Sequence, residues 1–318
     1  MNYYIGHSTD SVVRFSSSSG GVGTAIIKYL LENNLFGSSV TFVYSHEECR
    51  YIPQIIHTFK DYNNCGSIYQ DTDTIRFIRD NIKNIKNGIV VTCMPCQVKA
   101  IRSILNHHHI DHFIISMCCS GQTTVQGTWL YYKLLGIDKK DVNSIQYRGN
   151  GWPSGIQIEL DNGNVIRRDN YTYPWTLMHQ SLLFRPKRCL SCTIKTSPDA
   201  DISLADPWLK EYIDNDKIGN TIVISNEKGD RIITDMIKTG NLNLDAINES
   251  VYVSSQLGTI KLKQQSNLLK SFNRIVAAMG KEDSIYKRIV TSSEFLLKLH
   301  VKFLYILKKY YEKRIGDF

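Results

Sequence analysis

The stretch RCLSCTIKTSPDADISLADPW, residues 188–208, sets Cys189 and Cys192 three positions apart and follows them with Asp199, Asp201 and Asp206. A C-x-x-C pair offers soft thiolates to zinc, to an iron–sulfur cluster or to a dithiol redox step. Two further close pairs, Cys93/Cys96 and Cys118/Cys119, supply four more thiols, while Cys49 and Cys65 stand apart and read as ordinary semi-buried thiols. Eight cysteines in this arrangement point to metal or redox chemistry rather than to a disulfide framework. Spacing alone leaves a four-cysteine 4Fe-4S site, a four-cysteine zinc site and no metal all open.

A second segment, FSSSSGGVGTAIIKYLL (15–31), runs four serines and two glycines straight into a helical pattern. Small residues let the backbone approach a ligand, and free N–H groups at a helix start suit a phosphate or pyrophosphate. The segment has neither the lysine of a Walker loop nor the G-x-G-x-x-G of a dinucleotide fold, and its plain alternative is a serine-rich turn capping a helix. His107, His108 and His109 are consecutive, so their side chains point in different directions and no shared metal is expected, even with His112 nearby. His179, just before the cysteine loop, is the candidate proton donor; Tyr147, Tyr171 and Tyr173 are acid or stacking candidates.

These residues must be held by ordinary elements, and the hydrophobic periodicity supplies them. VGTAIIKYLLENN, TDTIRFIRDNIKNI, CQVKAIRSIL and TVQGTWLYYKLLG have helical spacing, while SSVTFVY, GIVVT and HFIISM read as strands. Strands alternating with helices over residues 1–140 predict an α/β layer with a mostly parallel sheet. VNSIQYRG, GIQIEL and NVIRRD, the last two joined by a DNG turn, predict a small antiparallel β insertion; NTIVISN then leads into the helical GDRIITDMIKTG. The expected organisation is residues 1–140 as an α/β half, 141–257 as a β-rich cysteine-containing half completing the same domain, and 258–318 as a helical C-terminal region. Cys93/Cys96 and Cys118/Cys119 follow neighbouring strands, so their loops meet at the carboxyl edge of the sheet, where open α/β folds bind ligands. The 189–192 loop need only fold over them.

The chain has 318 residues, 42% of them apolar, enough for a large core. No apolar run approaches the roughly 20 residues of a membrane-spanning helix, and the N-terminus lacks a signal-peptide pattern, so a cytoplasmic protein is expected. The net charge of +8 suits an acidic partner or an anionic ligand. Lys and Arg are scattered without a nucleic-acid-binding motif, so no nucleic-acid partner is expected. The basic helical tail is expected to pack its apolar stripe on the body or on a second subunit, forming a homo-oligomer, with contact to a membrane surface as the alternative.

SSSSGGVGTA, MPCQVKAIR, CCSGQTT, YRGNGWPSG and RCLSCTIKTSPDADISLADPW, in that order, resemble the beta subunit of coenzyme F420 hydrogenases and dehydrogenases, a family that includes chlorophyll-pathway reductases. The resemblance covers roughly residues 14–210 and implies an α/β protein carrying FAD and a 4Fe-4S cluster. It implies Cys96, Cys119, Cys189 and Cys192 as cluster ligands, with Cys93 or Cys118 as substitutes for their neighbours. It implies that Ser17, Ser18, Ser19, Gly20, Gly21 and Thr24 hold flavin phosphates and that Arg148, Gly149, Gly151 and Trp152 line the flavin or substrate face, with Arg148 and His179 the catalytic candidates. Asp201 and Asp206 are candidates for orienting backbone or flavin groups, with an ordinary acidic turn as the alternative. Function on this basis is electron transfer between a carrier and an organic small-molecule substrate. The many relatives with an added ferredoxin domain have no counterpart segment here, so the expected donor is a separate ferredoxin, a deazaflavin or a nicotinamide. Departures lie at Ala205 and Leu209, where the family has glycines, and at Pro207, where it has an aromatic residue. Similar short relatives occur in surface-polysaccharide pathways, which gives the alternative reading of a non-catalytic or zinc-stabilised component of such a pathway.

Overall fold

A computed structural model of the chain describes residues 1–153, 155–169, 172–214, 219–264 and 267–315; Tyr171 lies outside the described residues. The strands are β1 (Asn2–Ser8), β2 (Ser39–Ser45), β3 (Arg50–Ile56), β4 (Ile89–Cys93), β5 (His112–Met117), β6 (Val142–Gln146), β7 (Gly155–Leu160), β8 (Val165–Asp169), β9 (Ile202–Ala205), β10 (Thr221–Ser225) and β11 (Leu242–Ala246). The helices are α1 (Ser11–Ser16), α2 (Val22–Glu32), α3 (Thr74–Asp80), α4 (Val98–His107), α5 (Val125–Leu134), α6 (Trp175–Gln180), α7 (Lys210–Asp214), α8 (Glu227–Lys238), α9 (Glu249–Ser255), α10 (Leu257–Lys263), α11 (Asn267–Met279), α12 (Ile285–Val290) and α13 (Glu294–Ile315).

The main sheet has the order β11-β1-β10-β9-β5-β4-β2-β3. β2, β4, β5 and β9 are mutually parallel. β10 opposes β9, and β1 opposes β10, so β1 also runs with the parallel set and five of the eight strands share one direction. That shared direction matters because the chain leaves β1, β4, β5 and β9 at the same edge.

β4 and β5 are short continuous apolar runs because both of their faces are covered. Ile26 and Leu30 of α2 pack with Phe113, Ile202 and Val223 on one side. Val98, Ile101 and Leu105 of α4 pack with Val91 and Ile114 on the other. β3 carries Pro53, which cannot donate to a ladder, and accordingly lies at the sheet edge. The predicted antiparallel insertion is the separate sheet β6-β7-β8, its hairpin closed through Gly163 at φ 81°.

Asp201 sits buried where three elements meet. Its carboxylate accepts from the Ile114 N–H at 2.8 Å, from Arg102 Nη2 at 3.1 Å and from Asn226 Nδ2 at 3.2 Å. It therefore fixes β5, α4 and the start of α8 to β9. The C-terminal helices close over α6. His300 of α13 donates from Nε2 to the Ser181 carbonyl at 2.9 Å, which leaves Nδ1 to accept from the Tyr286 hydroxyl at 2.7 Å. Among the described residues, no helix is long and apolar enough to cross a membrane.

Candidate functional site

The loops leaving β1, β4, β5 and β9 surround one cleft of about 290 Å³, close to the lower end of the roughly 300–1,000 Å³ usual for small-molecule sites. The serine loop forms one wall through Ser17, Ser18, Ser19, Gly21 and Thr24. Gly21 takes φ 75° to start α2 without a side-chain cap, so the first N–H groups of an eleven-residue helix remain for a ligand. The Ser17 hydroxyl lines the cleft, is buried, and has no hydrogen-bond partner among the described residues. An orphaned buried hydroxyl beside a free helix start is what a phosphate- or ribose-bearing group would satisfy, so these residues fit the flavin that the sequence implies.

The loop is braced from several sides. The Ser67 N–H donates to Ser18 Oγ at 2.6 Å, and Asn64 Nδ2 donates to Ser16 Oγ at 2.9 Å. The Gly20 N–H donates to Thr221 Oγ1 at 2.8 Å, so Gly20 faces β10 rather than the cleft. A Cβ on Gly66 (φ 64°) would meet the Arg148 carbonyl oxygen at 2.6 Å.

Arg148 is the charged centre of the cleft. It is 3% exposed, donates from Nη1 to Asp206 Oδ2 at 2.7 Å, and reaches the Ser18 carbonyl from Nη2 at 2.7 Å. One guanidinium thus ties the loop after β9 to the serine loop. Two indoles lie beside it, with its central carbon 5.3 Å from the Trp152 ring and 5.8 Å from the Trp208 ring. Trp152 is buried behind the cleft lining, its ring 5.1 Å from that of cleft-lining Trp208 and tilted by 34°. Gly149 and Gly151 lie against the back of the serine segment: a Cβ on Gly149 would meet the Ser16 carbonyl oxygen at 2.5 Å, and the Gly151 N–H donates to the Phe15 carbonyl at 3.0 Å.

The thiols gather at the other end. Cys118 and Cys119 both line the cleft. The Cys119 N–H donates to the Lys195 carbonyl at 2.9 Å, joining the loop after β5 to the cysteine-rich segment. Arg188 Nη2 donates to Cys96 Sγ at 2.8 Å, joining that segment to the loop after β4. The Cys119 thiol is pushed up mainly by burial, opposed by the Lys263 ammonium and reinforced by the fields of Cys189 and Cys96. The three cysteine loops therefore converge on Cys119, and buried Lys263 adds its charge to those of Arg185 and Arg188. Among the described residues, no three Cys, His, Asp or Glu side chains are arranged around a common metal position. The soft donor set and the loop convergence fit a thiolate-bound metal or cluster, with the side chains themselves still apart.

Cys93 and Cys118 have different surroundings. Cys93 is packed in the core beside Val91 and Val98, and burial pushes its thiol up to about 12. Cys118 donates to Gln256 Oε1 at 3.4 Å, and burial likewise raises it to about 12.

His179 lies one layer outside the cleft. Its Nδ1 is 3.0 Å from Thr123 Oγ1, and its ring meets the edge of cleft-lining Tyr69 at 5.2 Å. Burial, with Arg185 nearby, lowers its pKa to about 4, so the ring is neutral at ordinary pH. Tyr147 bonds Gln70 and Thr128 inside the core, Tyr173 is exposed, and His107, His108 and His109 are exposed at the end of α4. The 62–69 segment, which carries no recognisable motif, supplies Tyr62, Asn64, Gly66, Ser67 and Tyr69 to the cleft. Its run of small polar residues was the signal that the sequence offered.

A family model described as "Coenzyme F420 hydrogenase/dehydrogenase, beta subunit N-term" matches residues 3–78, and its C-terminal companion matches residues 86–250. The chain is 24% identical to the coenzyme F420 hydrogenase subunit beta of Methanococcus voltae, over 76% of this chain and 82% of that one. It is 23% identical to the F420-dependent formate dehydrogenase subunit beta of Methanocaldococcus jannaschii, over 86% and 69%. Among solved structures, a chain of the F420-reducing [NiFe] hydrogenase complex from Methanosarcina barkeri superposes with a TM-score of 0.62 at 16% identity, covering 86% of this chain and 91% of that chain; this likeness speaks for the fold.

Proposed function

The chain belongs to the coenzyme F420 hydrogenase/dehydrogenase beta-subunit family, and on that premise we propose that it is a flavin-dependent iron–sulfur oxidoreductase. It passes electrons between a carrier (ferredoxin, deazaflavin or nicotinamide) and an organic substrate. The observation that carries this reading is that Cys119 and the serine loop border the same cleft, so a thiolate site and an anion cradle share one wall-to-wall space. A cluster beside a flavin lets single electrons be paired for two-electron or hydride transfer.

In this reading the Ser17–Thr24 loop and the start of α2 hold the flavin phosphates. Arg148, neutralised and aimed by Asp206, keeps that loop shut against β9. Cys96, Cys119, Cys189 and Cys192 hold the cluster; Cys93, packed in the core, and Cys118, a thiol raised by burial and donating to Gln256, do not. Arg185, Arg188 and Lys263 offset the thiolate charge. His179 acts through Tyr69 as a positioning residue, since neutral imidazole with a pKa of about 4 holds no proton to give near neutrality.

Anaerobic purification followed by absorbance spectroscopy and iron, sulfide, zinc and flavin analysis tests the reading. About four irons per chain and an oxidised-flavin spectrum are expected. One zinc with neither iron nor flavin, even after reconstitution, would refute it.

A further inference from the structure

Helix α13 has two apolar faces and uses one. Leu297, His300 and Leu304 are buried against the body. On the far side, Phe295, Leu299, Phe303, Ile306 and Tyr310 fall within an arc of about 80°, at roughly 100° per residue. That stripe is open: Phe295 is 67% exposed, Phe303 47% and Ile306 58%. From Phe295 to Tyr310 it runs roughly 22 Å at about 1.5 Å per residue. The neighbouring α12 exposes Ile285 and Ile289 as well.

Charge decides what covers it. Residues 285–315 contain eight Lys or Arg against two Asp or Glu, which is +6 of the chain's +8. Lys298, Lys302 and Lys309 follow one edge of the stripe at helical spacing. A second copy would bring one such cationic face against another, and the two would repel. A fluid bilayer takes apolar and aromatic side chains at the headgroup boundary, and attracts the lysines when its lipids are anionic.

We propose that α13 lies in the plane of an anionic lipid surface, with Phe295, Leu299, Phe303 and Ile306 inserted and Lys302 at the headgroups, making this a peripheral membrane protein. The helix is already held to the body by His300, so docking requires no refolding.

The test is flotation of the full chain with vesicles of phosphatidylcholine alone or mixed with phosphatidylglycerol. The expected result is flotation only with phosphatidylglycerol, weakened by added salt. K302Q lowers partitioning roughly fivefold. F303E/I306E abolishes it while leaving the unfolding midpoint unchanged, because both side chains face solvent in the free protein. Failure to float on anionic vesicles, equal binding to neutral ones, or undiminished flotation of F303E/I306E overturns the proposal. A concentration-dependent dimer that F303E/I306E dissociates would instead assign the stripe to a second copy. An acidic soluble protein whose binding requires the stripe, with no flotation, would assign it to that partner.

Discussion

Arg148 is a cation that the protein cannot expose or discharge, and Asp206 and the Ser18 carbonyl are what make its burial tolerable. Removing one member of a buried pair leaves the other charge uncompensated, which costs about 3 kcal/mol or more. Arg148→Met is therefore expected to destabilise the protein by about that amount in urea unfolding, and Arg148→Met/Asp206→Leu to recover part of the loss. In the flavin reading, the single variant also purifies with less flavin. His179 gives a pH signature. Its folded pKa is about 4 against an ordinary 6.5, so between those values the unfolded chain takes up a proton that the folded chain refuses. Stability is therefore full above about pH 6.5 and falls as the pH drops towards 4. His179→Gln is expected to flatten that part of the curve in unfolding measured across the range. Residue types made the serines visible in the sequence, and the family resemblance supplied Arg148. They did not reveal that Gly149 and Gly151 serve backbone contact with Phe15 and Ser16, since a glycine looks alike whether it admits a ligand or another strand of chain.

Periodicity exposed the elements that carry enough apolar residues to show it. α2, α4, β4 and β5 were legible because each buries a long run, and the DNG hairpin because its turn chemistry is local. β1, β3, β9 and β11 were not. β3 is interrupted by Pro53, β9 has four residues inside the cysteine-rich segment, and β11, LNLDA, is short and polar. Their pairing is set by distant partners that no local window contains. The 62–69 segment was hidden for the same reason, yet its backbone closes the cleft. Gly66→Ala must place a side chain at positive φ against the Arg148 carbonyl and Ser18 Oγ, and is expected to lose about 1–3 kcal/mol in thermal unfolding. Gly163→Ala, also at positive φ but with open space around it, carries only the backbone cost and is the matched control.

At the scale of the whole molecule, the cysteine loops join parts of the chain that are far apart: the ends of β4 and β5 and the segment before β9. A metal or cluster bound only by the folded arrangement stabilises it by mass action. Anaerobic reconstitution with iron and sulfide is expected to raise the melting temperature, with Cys119→Ser cancelling the rise and Cys93→Ser leaving it. No rise in the unsubstituted protein would mean that the loops do not share a metal.

The position of β1 carries a consequence for how the chain is made. It leaves the ribosome long before its neighbours on either side, β10 and β11, with Asn2 opposite Ser225 and Ser8 opposite Leu242. During translation the N-terminal segment has no partner until most of the polypeptide has emerged, and such distant pairings are slow to form. The serine loop that follows it is synthesised well before Thr221, the residue that braces it, and is locked only once β10 has emerged. A nascent chain stopped short of residue 221 holds all three cysteine pairs but no finished serine loop, so the cysteine segments can come together before the loop that faces them across the cleft is locked.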